Sequence, residues 1–282
     1  MTITAAAVKE LRDRTGAGMM DCKAALTETG GNLDQAIKIL RTKGLAAAAK
    51  KAHRAASEGQ VVVAGDRRAM VMLELNCETD FVARNPEFQQ FVSDLSTQAL
   101  DSGARNADAL KSQSFAGDPS HTVEQMISQK VATIGENIVL SRLARVDAGE
   151  GNHLSSYVHG GGKIGVIVEG SEAIPDEALH DVALHVAASE PRFLRREQVT
   201  PELLDAEREI AKKQAMDQGK PEHIADRIVE GKMEKFFEQE VLLEQPFVKD
   251  TSMSVKQFLA GAADGDAGLA GFVLFKRGES DA

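Results

Sequence analysis

Apolar residues recur at helical spacing through the first part of the chain and switch to strand-like alternation near Gln60. Val8 and Leu11, then Cys22, Ala25 and Leu26, then Leu33, Ala36, Ile37 and Leu40 fall three or four positions apart, each set a stripe on one helix face. Thr4 caps the first predicted helix, glycines at 16 and 18 break it before Met19, Gly30 ends the second, and Asn32 opens a third that ends at Gly44. Neighbours on a helix point about 100° apart, so Met19 and Met20 cannot both face so thin a core, and at least one belongs at the surface. Methionine there serves either an adaptable contact face or gap-filling in the core.

Residues 45–58 are alanine-rich and carry Lys50, Lys51, His53 and Arg54, which reads as a helical or flexible connector with a solvated basic face. From Gln60 the period is two. Segments 60–64 and 69–76 flank a turn at 65–68 and precede a helix carrying Phe88, Phe91, Val92 and Leu95. The same order returns at 153–159, a turn at 160–163, 164–169, and a helix from Pro175 with Leu179, Val182, Ala183, Val186 and Ala187. Hairpin plus helix thus appears twice, which predicts two related α+β subdomains. Between them lie a helix over 123–131 that stops near Ile134 and Gly135, and a strand over 138–146.

Thr200 and Pro201 open the longest helical stretch. Leu204, Ile210 and Ala211 line one helix, 218–221 interrupts it, and Ile224, Ile228, Val229, Met233 and Phe236 line the next, predicting an antiparallel helical hairpin. A short helix at 255–259 and a strand at 271–276 close the second sheet. The fold class is therefore α+β: a helical unit at 1–45, a linker at 46–58, one core subdomain at 59–150, a second from 151–199 and 242–282, and the inserted helical hairpin at 200–241.

At 282 residues, 43% hydrophobic and 27% charged, the chain has the profile of a globular protein. No run of about 18 apolar residues and no signal-peptide pattern predict a membrane or exported protein, so a cytoplasmic location is expected. A net charge of -10 argues against nucleic acid as the main partner, because phosphate binding is driven by clustered cations. Cys22 and Cys77 lack metal or redox spacing and fit free thiols in a reducing compartment.

Residues 76–83 (NCETDFVA) carry the most information, because they put an acid and a bare aromatic between a strand and the helix start at Asn85 and Pro86. Residues 79–83 are a predicted loop, and Phe81 there either folds back onto its own core or protrudes as a wedge for a partner. Catalytic constellations are thin. Gly160 to Lys163 lacks the spacing and the hydroxyl of a phosphate loop and reads as a hairpin turn. His180 and His185 miss the four-residue spacing that stacks two ligands on one helix face. Cys77 has no histidine near it in sequence to act as base.

Several strings, in order and at similar spacing over nearly the whole chain, resemble bacterial translation elongation factor Ts. They are 8–11, 14–21 (RTGAGMMD), 50–52, 76–83 (NCETDFVA), 134–138 (IGENI), 157–166, 185–189 (HVAAS) and 230–233 (EGKM). The resemblance implies a guanine-nucleotide exchange factor for elongation factor Tu that is not an enzyme, needs no cofactor or metal and makes no direct contact with nucleotide, nucleic acid or membrane. It implies that the N-terminal helices are similar to a ubiquitin-associated (UBA-like) domain, with Arg12, Met19, Met20 and Lys23 on the contact face and Lys51 close behind. It matches Thr79, Asp80, Phe81 and Val82 to the segment linked to Mg²⁺ displacement, and Ile134, Gly135 and His159 to neighbouring contacts. The hairpin matches a coiled-coil module associated with self-association. Lys163 stands where many relatives carry Arg, which weakens bidentate contact there, and docking through a further C-terminal helix is not expected.

Two rival readings differ in what they require. A UBA-like adaptor without exchange activity needs only residues 1–45 for binding, and a thiol or metal enzyme would lose turnover on Cys77→Ser or with chelator.

Overall fold

The computed structural model describes residues 3–217, 221–263 and 268–279; the expected break at 218–221 lies, apart from Pro221, outside them. Three helices, α1 (Ala5–Thr15), α2 (Met19–Glu28) and α3 (Leu33–Lys51), bury Val8, Leu11, Cys22, Ala25, Leu26 and Ala36 in one small core. The Thr4 side chain accepts from the Ala7 amide and Asn32 from that of Gln35, as their positions predict.

The expected stop at Gly44 is corrected: α3 runs on to Lys51 and absorbs much of the connector. A glycine costs a helix only about 1 kcal/mol, and here Gly44 is buried. A Cβ at Gly44 would lie 3.8 Å from the Ala132 Cβ on a later helix.

The hairpin of β1 (Glu58–Gly65) and β2 (Ala69–Cys77) follows, then a single turn α4 (Asp80–Ala83) and the long helix α5 (Pro86–Ser102). A short helix α6 (Ala107–Lys111), a small hairpin of β3 (Ser114–Phe115) and β4 (Asp118–Thr122), and α7 (Val123–Ile134) lead to β5 (Val139–Asp147). β5 pairs antiparallel with β2, giving the order β1-β2-β5.

The second half repeats this order. β6 (Asn152–His159) and β7 (Ile164–Ser171) form a hairpin and α8 (Asp176–Ser189) packs on it. After the helices α9 (Pro201–Asp217) and α10 (Glu222–Glu240), another small hairpin of β8 (Pro246–Phe247) and β9 (Asp250–Ser254) precedes α11 (Val255–Ala262) and β10 (Leu269–Lys276). β10 pairs with β7, so the second sheet reads β10-β7-β6 and closes as expected.

Strand alternation divides β2 between two cores. Val71, Leu73, Leu75 and Cys77 face α5 and α7, whereas Met70 and Met72 join Val61, Leu154, Ile167 and Phe275 between the two sheets. Both faces are covered, so β2 is buried from Met70 to Cys77. The sheets pack tightly at Gly165, where a Cβ would meet Val61 at 2.6 Å and Met72 at 2.7 Å.

α9 and α10 lie side by side, with Lys212 on Asp226 at 3.2 Å. Ala211 and Ala215 are buried, but Ile210 is 50% exposed and does not line the contact as expected, since it points about 100° from Ala211. Arg196 grips Glu234 of α10 through two bonds of 3.1 and 2.7 Å and also holds Glu244, fastening the helix pair at its base.

Candidate functional site

The segment after β2 is not the loop its sequence predicts. Thr79 is extended (φ -126°, ψ 153°) and its hydroxyl accepts from the Val82 amide, so α4 forms one helical turn. Asn85 then caps α5, accepting from Glu87 at 2.8 Å, with Pro86 in the first turn. Two N-caps this close leave room for a single turn between them. Ala83 is buried in the first core, and Phe81, about 200° round the turn from it, is forced outward. Phe81 is 83% exposed, which excludes folding back onto its own core. Asp80 pairs with Arg84 at 2.9 Å along the same turn.

The turn is pinned from behind by a segment 57 positions on. One Glu136 carboxylate oxygen accepts from the amides of Glu78 (3.1 Å) and Thr79 (3.0 Å), and the other accepts from the Thr79 hydroxyl (2.6 Å, a separation of 57 residues). In return a Glu78 carboxylate oxygen accepts from the Asn137 amide at 2.6 Å and from Arg54 at 3.4 Å, and the Asn137 side chain donates to the Arg54 carbonyl at 2.8 Å. The Asn137 amide, with Arg54 behind it, holds the Glu78 carboxyl below the usual range. Gly135 makes this possible: at φ 89° it ends α7 and turns the chain back toward Thr79.

Among the other expected site residues, Ile134 is half-buried and Gly135 exposed at the end of α7, beside this clamp. Exposed His159 ends β6, where the Tyr157 hydroxyl lies 3.1 Å from its Nδ1. The turn that follows shares a cleft of about 380 Å³ with α4, in which Asp80 and Arg84 face Gly160, Gly161 and Lys163. Met19 and Met20 are 52% and 72% exposed at the start of α2, with Arg12 and Lys23 also exposed on the N-terminal helices. Lys51 is committed elsewhere, donating to the Val131 carbonyl of α7 at 3.2 Å. α7 therefore carries the N-terminal helices along its side and the pinned turn at its end.

The chemical alternatives lose their footing in geometry. Burial pushes the Cys77 thiol up to about 12, and it donates to the Thr79 carbonyl at 3.2 Å, so no thiolate forms near neutral pH. His185 is buried with both nitrogens occupied, one bonded to Gln245 at 2.9 Å and the other accepting from the Val248 amide at 3.1 Å. His180 packs edge-on against Tyr157, 5.9 Å between centroids. The glycine turn at 160–162 lets β6 reverse and brings Gly162 against β1, its carbonyl accepting from Val61 at 2.9 Å. Among the described residues no group of three His, Cys, Asp or Glu is placed to hold a metal ion, and no helix is long and apolar enough to cross a membrane. Glu136, Glu78, Asn137 and Arg54 hold this turn, and periodicity does not single them out. The sequence marks Glu78, Glu136 and Asn137 only by membership in the strings at 76–83 and 134–138, and Arg54 only as part of the basic cluster of the connector.

Residues 78–279 match the family model described as Elongation factor TS. The chain is 45% identical over 273 residues to the elongation factor Ts of Trichlorobacter lovleyi, covering 93% of this chain and 88% of that protein. It is 46% identical over 270 residues to that of Aquifex aeolicus, covering 92% of each, and 43% identical over 287 residues to that of Clostridium kluyveri, covering 98% of this chain and 93% of the relative.

Proposed function

The chain belongs to the elongation factor Ts family, and from that premise we propose that Thr79, Asp80, Phe81 and Val82 form the element that loosens nucleotide and Mg²⁺ on its GTPase. Its function is guanine-nucleotide exchange on elongation factor Tu in protein biosynthesis. The adaptor reading, which uses only residues 1–45, is not favoured by kinship that spans 92% to 98% of the chain.

The single observation that carries the proposal is Phe81, 83% exposed on a turn held by Glu136. Exchange follows from linkage. A protein that binds the empty GTPase more tightly than the loaded one weakens nucleotide and Mg²⁺ binding by the same factor, without touching either and without bond-making. Burying one phenylalanine is worth roughly 1.5 to 3 kcal/mol, and each tenfold weakening needs about 1.4 kcal/mol. Phe81 alone supplies about ten- to a hundredfold. Asp80 adds competition with the anionic surroundings of the phosphates, once partner contacts replace its pair with Arg84.

In this reading the UBA-like helices at 1–45 dock on the far side through Arg12, Met19, Met20 and Lys23, with Lys51 close behind them, and Ile134, Gly135 and His159 lie beside the wedge. The segment at 46–58, whose first part continues α3 to Lys51, joins them to subdomains 59–150 and 151–199 with 242–282, and the coiled-coil hairpin at 200–241 supports self-association. The net charge of -10 supports a protein partner over nucleic acid. The test is stopped-flow release of fluorescent GDP from elongation factor Tu. The protein accelerates release, and Phe81→Ala slows that acceleration about ten- to a hundredfold; unchanged release at matched occupancy discards the wedge.

A further inference from the structure

We propose that Glu136 is a positioning residue for nucleotide exchange, holding the turn that bears Phe81 in its inserting conformation before the partner arrives. The proposal rests on the reading of Phe81 above and adds what makes that ring effective.

A helix of one turn has no stability of its own, because nucleation is not recovered by propagation. α4 spans only Asp80–Ala83. The pairing of β2 with β1 stops at Cys77 and that with β5 at Asn76, so the Glu78 and Thr79 amides find no strand partner. Glu136 accepts from both, at 3.1 and 3.0 Å. Its other oxygen takes the Thr79 hydroxyl at 2.6 Å, which orients that oxygen to accept the Val82 amide at 3.4 Å. A charged acceptor thus reaches the third residue of the turn through one hydroxyl. Phe81 lies between the two residues so fixed.

The clamp is reciprocal, which separates it from an ordinary surface contact. Glu78 caps the Asn137 amide at 2.6 Å, so the segment carrying Glu136 is held by the turn it holds. Arg54 joins both sides, 3.4 Å from Glu78 and 2.8 Å from the Asn137 side chain through its carbonyl. Pre-organisation of this kind removes an ordering cost from the inserting step and leaves docking elsewhere untouched.

The test measures fluorescent GDP release from elongation factor Tu against concentration of the full-length protein, separating plateau rate from half-saturating concentration. Glu136→Ala is expected to lower the plateau about tenfold, equivalent to about 1.4 kcal/mol, with half-saturation changed by less than about threefold. Glu136→Gln, which keeps one oxygen for the two amides, recovers most of the loss. On a Phe81→Ala background Glu136→Ala adds less than about twofold, since orienting an absent ring achieves nothing. Losses that multiply in the double variant overturn the proposal, as does an unchanged plateau for Glu136→Ala. Should that variant fold poorly, Thr79→Val deletes only the bridging hydroxyl. A drop of about threefold supports the proposal and none overturns it. If Phe81→Ala slows release and neither Glu136→Ala nor Thr79→Val does, only this inference fails; if Phe81→Ala is silent, the wedge fails and this inference with it.

Discussion

Glu74 and Arg142 form a buried ion pair across β2 and β5, 2.6 Å apart with side chains 1% and 10% exposed. Arg142 also donates to the Lys276 carbonyl at 2.7 Å and lies 4.2 Å above the Phe275 ring, and Glu74 accepts from the Gly278 amide at 2.7 Å. Arg142 thereby ties the first sheet to the last strand of the second, and Glu74 ties it to the residues just after that strand. The pair sits beside the core between the sheets, where Phe275 packs with Met72 and Ile167.

Removing one partner of such a pair leaves an uncompensated charge in a dry place, which costs about 3 to 5 kcal/mol. Arg142→Ala should therefore lower the urea midpoint by that equivalent, and replacing both residues with Met and Leu should recover much of the loss. A cost under about 1 kcal/mol for the single variant would mean that water reaches Glu74.

Cys77 makes stability sensitive to alkali. Its thiol is raised from 9.0 to about 12, mainly by burial and next by Glu136, so the folded state keeps the proton after the unfolded chain has lost it. The contribution is whole below about pH 9 and declines as pH climbs toward 12, at up to roughly 1.4 kcal/mol per unit. Wild type should lose stability faster than Cys77→Ala between about pH 8.5 and 10.5 in parallel urea titrations. Equal slopes would show that the thiolate is tolerated where it stands.

The two halves carry the same helix start. Thr122 with Gln125 and Ser254 with Gln257 form capping boxes, and the amides of Val123 and Val255 donate to the carbonyls of Gln113 and Gln245 at 2.9 and 3.0 Å. Asp118 and Asp250 accept from Ser120 and Ser252 in the preceding turns, and Phe115 and Phe247 are both buried. Thr122→Ala and Ser254→Ala should each cost about 1 kcal/mol. Their costs should add in the double variant, because the boxes serve separate cores. A double loss well above the sum would show the halves coupled through the sheets.

That shared start also marks where the sequence stops being legible. The long hairpins and α5, α7 and α8 could be read because each repeats its period over several turns or alternations, and α5 also begins at a recognisable cap, Asn85. The β3–β4 and β8–β9 hairpins could not, since β3 and β8 span two residues and show no period. Gly44 was expected to end a helix because local propensity favours a stop there. The helix continues because packing against Ala132 outweighs propensity. The exposure of Phe81 was open in the sequence and is decided by two caps and a buried Ala83. Glu136 illustrates the remainder: a carboxylate that reaches Thr79 from 57 positions away leaves no local pattern.

The N-terminal helices and the wedge should fail in different ways. The small core under α2 uses Cys22, Ala25 and Leu26 and leaves Met19 and Met20 outside, so replacing both methionines with Ala should change stability by no more than about 0.5 kcal/mol. If they anchor the partner, their loss removes binding energy that is the same before and after nucleotide leaves. Half-saturation should rise at least about tenfold, from roughly 1.5 kcal/mol or more of lost burial, while the plateau rate stays within about twofold. Phe81→Ala should show the reverse, a lower plateau at nearly constant half-saturation, because its burial favours only the emptied GTPase. Titrating both variants against GDP-loaded elongation factor Tu decides it. A plateau that falls for the methionine variant, or a half-saturation that climbs for Phe81→Ala alone, would assign anchor and wedge the wrong way round.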